Sequence, residues 1–227
     1  SFPVQAARQS WLLTQALSAN IRQHLKDGVI AGLPPVLTFQ SVLDHTVSTR
    51  AVIETLHARL PDNGSELVLF DINRNTSFEH LLSARTDTAL DRLLPPPPRP
   101  FRVAVVANAA ADSSLAEVQV TPPHTMEGVR RPLGLAYPPE VYSLSHVALP
   151  FPLSDGLYGL DPDPDDSFGI RLGDIAARGE YGALIVNVDM LVRMSSNPFF
   201  SYVLERIEAG LPKPTAPVAP SPAPAAR

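Results

Sequence analysis

A strand–turn–helix unit that occurs twice in succession constrains the fold of this chain most. Residues 36–41 are rich in strand-forming side chains, and a polar turn and a helix over about 49–60 follow them. Residues 66–72 form a second apolar run, and a capping-box sequence at 76–79 begins the next helix. Because strands that alternate with helices pair in parallel through crossover connections, the chain is predicted to have an α/β fold with a mostly parallel sheet.

Further elements flank this unit. Residues 4–26 contain neither glycine nor proline and place an aliphatic side chain at every fourth position, at Leu13, Leu17, Ile21 and Leu25. This spacing predicts an amphipathic helix, whose apolar stripe we expect to pack on the sheet, and Asp27-Gly28 is a stop signal. Three more strands and a final helix are predicted, over residues 101–108, 115–121, 141–149 and 197–211.

Proline limits how much of the chain can be regular. The 227 residues include 25 prolines, a far larger share than the roughly 5% of an average protein. Residues 95–98 are therefore interpreted as a stiff spacer and residues 122–140 as irregular. The Pro/Ala-rich residues 212–227 cannot form a core and are predicted to be a disordered tail. We expect one domain over residues 1–211.

Charge and composition exclude several functions. The net charge of −5, with no basic run, lacks the positive surface that nucleic acids require, so no nucleic-acid partner is expected. No stretch approaches the roughly 18 apolar residues that a transmembrane segment needs. The chain has no cysteine, which excludes disulfides and thiolate metal sites. These properties indicate a soluble globular protein and leave open whether its compartment is the cytoplasm or a bacterial envelope.

The first candidate site residue is Asp44, which follows the strand 36–41. Acidic residues at the carboxyl end of a parallel strand stand at the edge where open α/β sheets assemble their sites. A rigid strand also fixes the position of such a side chain. Asp44 is equally consistent with a turn that supports the next helix, and the residue pattern alone leaves both interpretations open.

The second candidate is His146, which lies in the strand 141–149 just ahead of a proline-rich loop. From there an imidazole can project into a cleft as a general base, although a single histidine is also commonly structural. His80, on the helix after the second strand, is the runner-up base. The other four histidines are weaker candidates, two as competitors for the base and two as helix-surface residues: His45 and His124, then His24 and His57.

Two segments resemble a known family. Residues 35–48, PVLTFQSVLDHTVS, are similar to the acid loop of α/β-hydrolases of the monoglyceride-lipase and serine-aminopeptidase type. Residues 143–151, SLSHVALPF, with the Leu-Tyr-Gly at 157–159, resemble the histidine loop of a bacterial branch of that superfamily. The resemblance implies an α/β-hydrolase fold and a catalytic triad in the chain order Ser, Asp, His. In that triad Asp44 orients the imidazole and His146 acts as acid and base.

The chain departs from this family at the nucleophile. The Gly-x-Ser-x-Gly elbow is absent, because the glycine pairs with that spacing centre on Ile30 and Arg171. The resemblance therefore implies that these residues are the carboxyl-terminal part of a hydrolase. Its serine and its amino-terminal half would come from the same gene product or from a companion chain.

The resemblance also implies how the domain is laid out. In simple family members the histidine follows the acid by a few tens of residues, whereas 102 residues separate Asp44 from His146 here. Residues 81–140 are therefore interpreted as a proline-rich insertion. The helix within residues 1–30 becomes a candidate cap over the site, whose apolar stripe would line an acyl pocket instead of packing on the sheet.

The implied function is hydrolysis of a small ester or acyl substrate by a carboxylesterase- or lipase-like serine hydrolase, with no cofactor and no metal. The acidic loop that contains Asp161, Asp163, Asp165 and Asp166 lacks the glycine and distal glutamate of a calcium loop, so it is interpreted as a solvated turn. Two alternatives stay open. One is a non-enzymatic binding or interaction module on a hydrolase scaffold, and the other is an amide-cleaving peptidase.

Overall fold

A computed structural model describes residues 4–44, 47–73, 90–138, 150–156, 158–159 and 196–211. Its helices are α1 (Val4–His24), α2 (Thr49–Ala51), α3 (Leu90–Leu93) and α4 (Phe200–Gly210). A short hairpin pairs β1 (Leu25–Lys26) with β2 (Val29–Ile30). The main sheet contains β3 (Leu37–Ser41), β4 (Glu66–Asp71), β5 (Arg102–Asn108), β6 (Leu115–Thr121) and β7 (Val129–Ala136).

The main sheet is mixed, and its strands lie side by side in chain order, β3-β4-β5-β6-β7. Strands β3, β4 and β5 are parallel, with Phe39 opposite Val68 and Val68 opposite Ala104. Strands β5, β6 and β7 form an antiparallel meander. The predicted parallel pairing of the two strand–helix units is confirmed, and the fold has the mixed α/β character that this pairing implies.

Strand β7 was not expected, because it lies in the proline-rich stretch 122–140. Its Pro132 pairs opposite Glu117, and the register shifts between Leu115 and Glu117. Proline is tolerated at this position because β7 is the last strand in the order and, among the described strands, pairs with β6 alone. Three of the five strands thus come from residues 81–140, the segment that the family resemblance treats as an insertion.

The core lies on both faces of the sheet, as the alternation of side chains along a strand requires. All six residues of β4 are buried. On one face, Val68 and Phe70 pack with Phe199 and Tyr202 at the start of α4. On the other face, Leu67 and Leu69 pack with residues that follow β3 and precede β5, among them Val42, Ile53 and Phe101.

The helical segment between β3 and β4 is irregular. Ser48 caps α2, its Oγ accepting the Ala51 N–H at 3.2 Å, but the segment then continues as a π turn (Val52–Leu56) and a 3₁₀ turn (His57–Arg59). A π turn inserts one residue, which rotates the following positions by about 100° around the helix axis. His57 consequently faces the core and is fully buried. The prediction that His57 lies at the helix surface is wrong.

Helix α1 forms as predicted and ends within two residues of the expected position. It gives way to the β1–β2 hairpin, whose turn has positive φ at Asp27 (51°) and Gly28 (83°). None of the residues of α1 is buried against the described part of the chain, and the side chains of Trp11 and Leu13 are 61% and 72% exposed. The expected packing of its stripe on the sheet is therefore not observed. Within the described residues, each helix lacks the length or the apolarity that crossing a membrane would require.

Candidate functional site

Polar side chains gather where the three parallel strands end, an edge that we call the carboxyl edge. Asp44 follows β3, Asp71 ends β4, Asn73 lies two residues further on, and Asn108 ends β5. The parallel register places Ser41 opposite Phe70 and Asp71 opposite Ala107, so the three strand ends lie level. Open α/β sheets assemble their sites at such an edge.

The Asp44 carboxylate is held through both of its oxygens. Oδ1 accepts the backbone N–H of Val47 at 2.9 Å, and Oδ2 accepts Nε2 of Gln40 at 3.2 Å. The Asp44 N–H donates to the Ser41 carbonyl at 3.3 Å. Asp44 thus makes the turn that the sequence analysis considered, and this turn leaves it half-buried with its carboxylate plane fixed.

Gln40 contacts this carboxylate directly, and Thr49 contacts Gln40. Gln40 is only 6% exposed, and its Nε2 lies 3.2–3.3 Å from Asp44 Oδ2, the Val47 carbonyl, the Ser41 carbonyl and Thr49 Oγ1. The buried Thr49 hydroxyl donates to the Ser41 carbonyl at 2.8 Å. The network joins the end of β3 to the first turn of α2 around a single side-chain amide.

A pair of asparagines ties the ends of β4 and β5 together. The Asn73 N–H donates to Asn108 Oδ1 at 2.7 Å, and Asn108 Nδ2 donates to Asn73 Oδ1 at 3.3 Å and to the Ser113 carbonyl at 2.9 Å. Asn73 has φ of +60°, a conformation that asparagine tolerates better than most residues. The pair satisfies backbone groups where the chain leaves the sheet, so its role is structural.

The segment after His146 is fixed beside the start of α4. The Asn197 N–H donates to the Phe151 carbonyl at 2.7 Å, and Leu153 packs against the core cluster that contains Phe199. Phe199 in turn stacks on Phe70, one residue from the end of β4, with ring centroids 5.8 Å apart. Residues 151–153 therefore lie toward the carboxyl edge.

Of the predicted site residues, the structure describes Asp44 and places it at the carboxyl edge. His146, His80 and His45 lie outside the described residues, as does the acidic loop 161–166. The distance between Asp44 and His146 therefore stays a prediction. In the described ranges, no group of three or more histidine or acidic side chains has the arrangement of a metal site.

The competitor His124 lies away from Asp44. Its Nε2 is 2.9 Å from Asp62 Oδ2, and its N–H donates to the Arg99 carbonyl at 2.8 Å. Asp62 and Arg99 precede β4 and β5, so His124 lies at the opposite edge of the sheet from Asp44. Both members of the His124–Asp62 pair are mostly exposed, which is typical of a surface ion pair.

His57 is a buried titratable residue that the sequence analysis did not recognise. Its Nε2 lies 2.8 Å from Thr38 Oγ1, and its ring is 5.2 Å from that of Phe101. Its Nδ1 has no hydrogen-bond partner in the part of the chain that the structure describes. Burial lowers the pKa of His57 from 6.5 to about 4, so the imidazole is neutral at pH 7.

A surface groove of about 440 Å³ lies on the face of β5 and β6. Leu94, Val103, Val105 and Met126 line it together with Arg99 and Glu127. Arg99 precedes β5 and Val103 lies at its start, so the groove is at the amino-terminal side of the parallel strands. It is separate from the carboxyl edge and from Asp44.

Gln40 and Thr49 were missed by the sequence analysis. A detectable signal was present, because Gln40 is a polar residue in an otherwise strand-forming run and lies four positions before Asp44. Buried polar side chains are hydrogen-bonded in native proteins, so a glutamine in a buried strand is expected to have a hydrogen-bond partner nearby. Comparison with known proteins adds no assignment, since no protein-family model, curated protein or solved structure matches this chain.

Proposed function

We propose that this chain is the carboxyl-terminal part of a serine hydrolase of the α/β-hydrolase superfamily, acting on a carboxylic ester. Asp44 is the acid of its triad and His146 the base, while the serine and the amino-terminal half come from outside these 227 residues. The observation that carries the proposal is the Asp44 carboxylate, held through both oxygens at the carboxyl edge of a parallel sheet.

The acid of a triad has to hold an imidazole in one tautomer and one orientation, which requires a carboxylate that does not rotate. Hydrogen bonds from the Gln40 amide and the Val47 N–H restrict this rotation. The geometry of Asp44 thus suits the acid role.

The position of Phe151 supports His146 as the base. His146 precedes Phe151 by five residues, which span at most about 17 Å when fully extended. The Phe151 carbonyl is bonded beside the start of α4, where Phe199 stacks on Phe70 near the end of β4, so the described end of this segment is compatible with a base at the carboxyl edge. His80 remains the runner-up base, since it follows Asn73 by only seven residues.

The proposed reaction proceeds through an acyl-enzyme. His146 takes the proton of the serine hydroxyl as the serine oxygen bonds to the ester carbonyl carbon, and then gives that proton to the departing alcohol as the ester bond breaks. Water, activated by the same imidazole, releases the acid and restores the serine. Asp44 stabilises the imidazolium that forms in each half-reaction. These steps require no metal and no cofactor.

The proposal is tested by comparing residues 1–227 with a polypeptide extended by the residues encoded ahead of Ser1. We expect the extended protein to hydrolyse p-nitrophenyl butyrate and to be labelled by a fluorophosphonate, and residues 1–227 alone to do neither. Labelling of a serine within residues 1–227 would contradict the assignment of the nucleophile. Absence of turnover and labelling in the extended protein would favour the binding-module alternative.

Variants of the extended protein test the two residues. His146→Ala should abolish nearly all turnover, and Asp44→Asn should lower it by a factor on the order of 10⁴, because the amide holds the imidazole in the wrong tautomer. His80→Ala is the matched control and should leave turnover unchanged. Loss of turnover in His80→Ala with retention in His146→Ala would transfer the base role to His80. An ester and an amide of the same acyl group separate esterase from peptidase activity.

A further inference from the structure

We infer that Gln40 is a positioning residue, whose side-chain amide holds the Asp44 carboxylate in the orientation that a catalytic imidazole requires. The inference rests on the proposed function, because it concerns how the triad acid is oriented. Its basis is the buried contact between Gln40 Nε2 and Asp44 Oδ2 at 3.2 Å.

The orientation of the Gln40 amide follows from its neighbours. Asp44 Oδ2 and the carbonyls of Val47 and Ser41 can only accept hydrogen bonds, so the group that they surround has to be the NH₂ donor. The Thr49 hydroxyl donates to the Ser41 carbonyl and can then accept from the same NH₂. The amide therefore has one favourable orientation, with its donor toward Asp44.

Gln40 also has a rigid base. It lies within β3, where Gln40 pairs opposite Leu69 of the buried strand β4. A second hydrogen bond to the carboxylate, from the Val47 N–H to Oδ1, comes from an exposed turn residue. Gln40 thus connects Asp44 to the sheet itself, whereas Val47 connects it only to the turn that follows.

Loss of the Gln40 donor would remove one restraint on the orientation of the carboxylate, because the terminal torsion of aspartate has broad, shallow preferences of its own. A rotated carboxylate orients the imidazole less well and stabilises the imidazolium less. We expect Gln40→Met, which is similar in size but cannot donate, to lower kcat roughly 10- to 100-fold with KM unchanged. The acid limb of the kcat/KM profile should move to lower pH.

The experiment uses the polypeptide extended ahead of Ser1 and p-nitrophenyl butyrate as the probe. Thr49→Val removes the hydroxyl that orients Gln40 without touching Asp44 and should reproduce part of the Gln40→Met effect, whereas Thr49→Ser should restore wild-type kcat. Ser65→Ala is the structural control. It deletes the hydroxyl that accepts the Val36 N–H at 3.0 Å beside the other end of β3, so it should lower stability without changing the pH profile.

The outcomes separate this inference from the proposed function. If Asp44→Asn retains turnover, the triad assignment fails and the role of Gln40 fails with it. If Asp44→Asn loses turnover while Gln40→Met keeps both kcat and the pH profile, only the role of Gln40 is overturned. Should Gln40→Met not fold, the Thr49 pair decides: equal kcat in Thr49→Val and Thr49→Ser would overturn the inference.

Discussion

At the scale of single residues, burial decides what each polar side chain can do. His57 and His124 have the same imidazole, yet His57 is buried beside Thr38 of β3 and the ring of Phe101, while His124 pairs with Asp62 at the surface. Burial disfavours a charged imidazole, and the pKa of His57 is lowered to about 4 as a result. Neither residue contributes to the carboxyl edge, but the buried His57 links folding to pH.

We expect His57 to destabilise the folded chain as the pH falls from about 6.5 to about 4. In this range the unfolded state binds a proton that the folded state excludes. The contribution of His57 to the free energy of unfolding is therefore fully present above pH 6.5 and is lost as the pH falls toward 4, by about 3 kcal/mol in total. Urea unfolding at pH 7, 5 and 4 measures this. The difference in stability between wild type and His57→Gln should depend on pH, and a difference that is the same at all three pH values would contradict this role of His57.

At the scale of elements, one ion cluster joins α4 to the sheet. Arg206 of α4 donates to Glu66 of β4 through two bonds, Nε to Oε1 at 3.1 Å and Nη2 to Oε2 at 2.6 Å. Arg102 of β5 lies on the same carboxylate, with Nη1 3.7 Å from Oε2. The Glu66 side chain is only 9% exposed. This arrangement fixes the carboxyl-terminal half of α4 where β4 begins, while Phe199 packs near the end of β4.

Glu66→Gln should therefore destabilise the chain by about 3–5 kcal/mol, because it leaves two adjacent arginines without their shared counter-charge. Thermal or urea unfolding of residues 1–227 measures the effect. The matched control is Glu117→Gln, which breaks the more exposed pair with Arg130 and should cost less than about 1 kcal/mol. Equal losses of unfolding free energy in the two variants would show that the Glu66 cluster stabilises the chain no more than a surface ion pair does.

Local sequence patterns predict the parallel strands and α4 well, because each has its own periodicity and boundary residues. Strand β7 was not predicted, because its strand conformation depends on pairing with β6 and because its Pro132 is unfavourable in a strand. The inward position of His57 was not predicted either, because the π turn changes which side chains of the helical segment face the core. Asp44 was identifiable from its place after a strand, whereas the roles of Gln40 and Thr49 depend on contacts that exist only once β3 and α2 fold together.

At the scale of the whole molecule, β3 is the first strand in the order of the sheet, and no strand of the described residues pairs with its outer edge. The Val36 carbonyl accepts the Glu66 N–H, and the Val42 N–H donates to the Phe70 carbonyl, each at 2.9 Å. Backbone groups alternate in direction along a parallel strand, so those of Leu37 and Phe39 point away from β4. Strand β3 contains no charged residue and no proline, the features by which edge strands usually avoid further pairing.

We expect this edge to pair with a strand of the amino-terminal segment that the proposed hydrolase requires. Leu37→Pro tests the pairing selectively, because it removes an N–H that faces the edge and not one that bonds β4, so residues 1–227 should still fold. Thr38→Pro is the contrasting control, since it removes an N–H that faces β4 and should unfold the sheet. Co-expression with the segment encoded ahead of Ser1, as a separate chain, should give a complex that Leu37→Pro abolishes.

Hydrogen exchange supplies an independent measurement of this pairing. The amides of Leu37 and Phe39 should be exposed in residues 1–227 alone and become protected in the complex. Undiminished association of Leu37→Pro, or protection of both amides in monomeric residues 1–227, would contradict pairing at this edge.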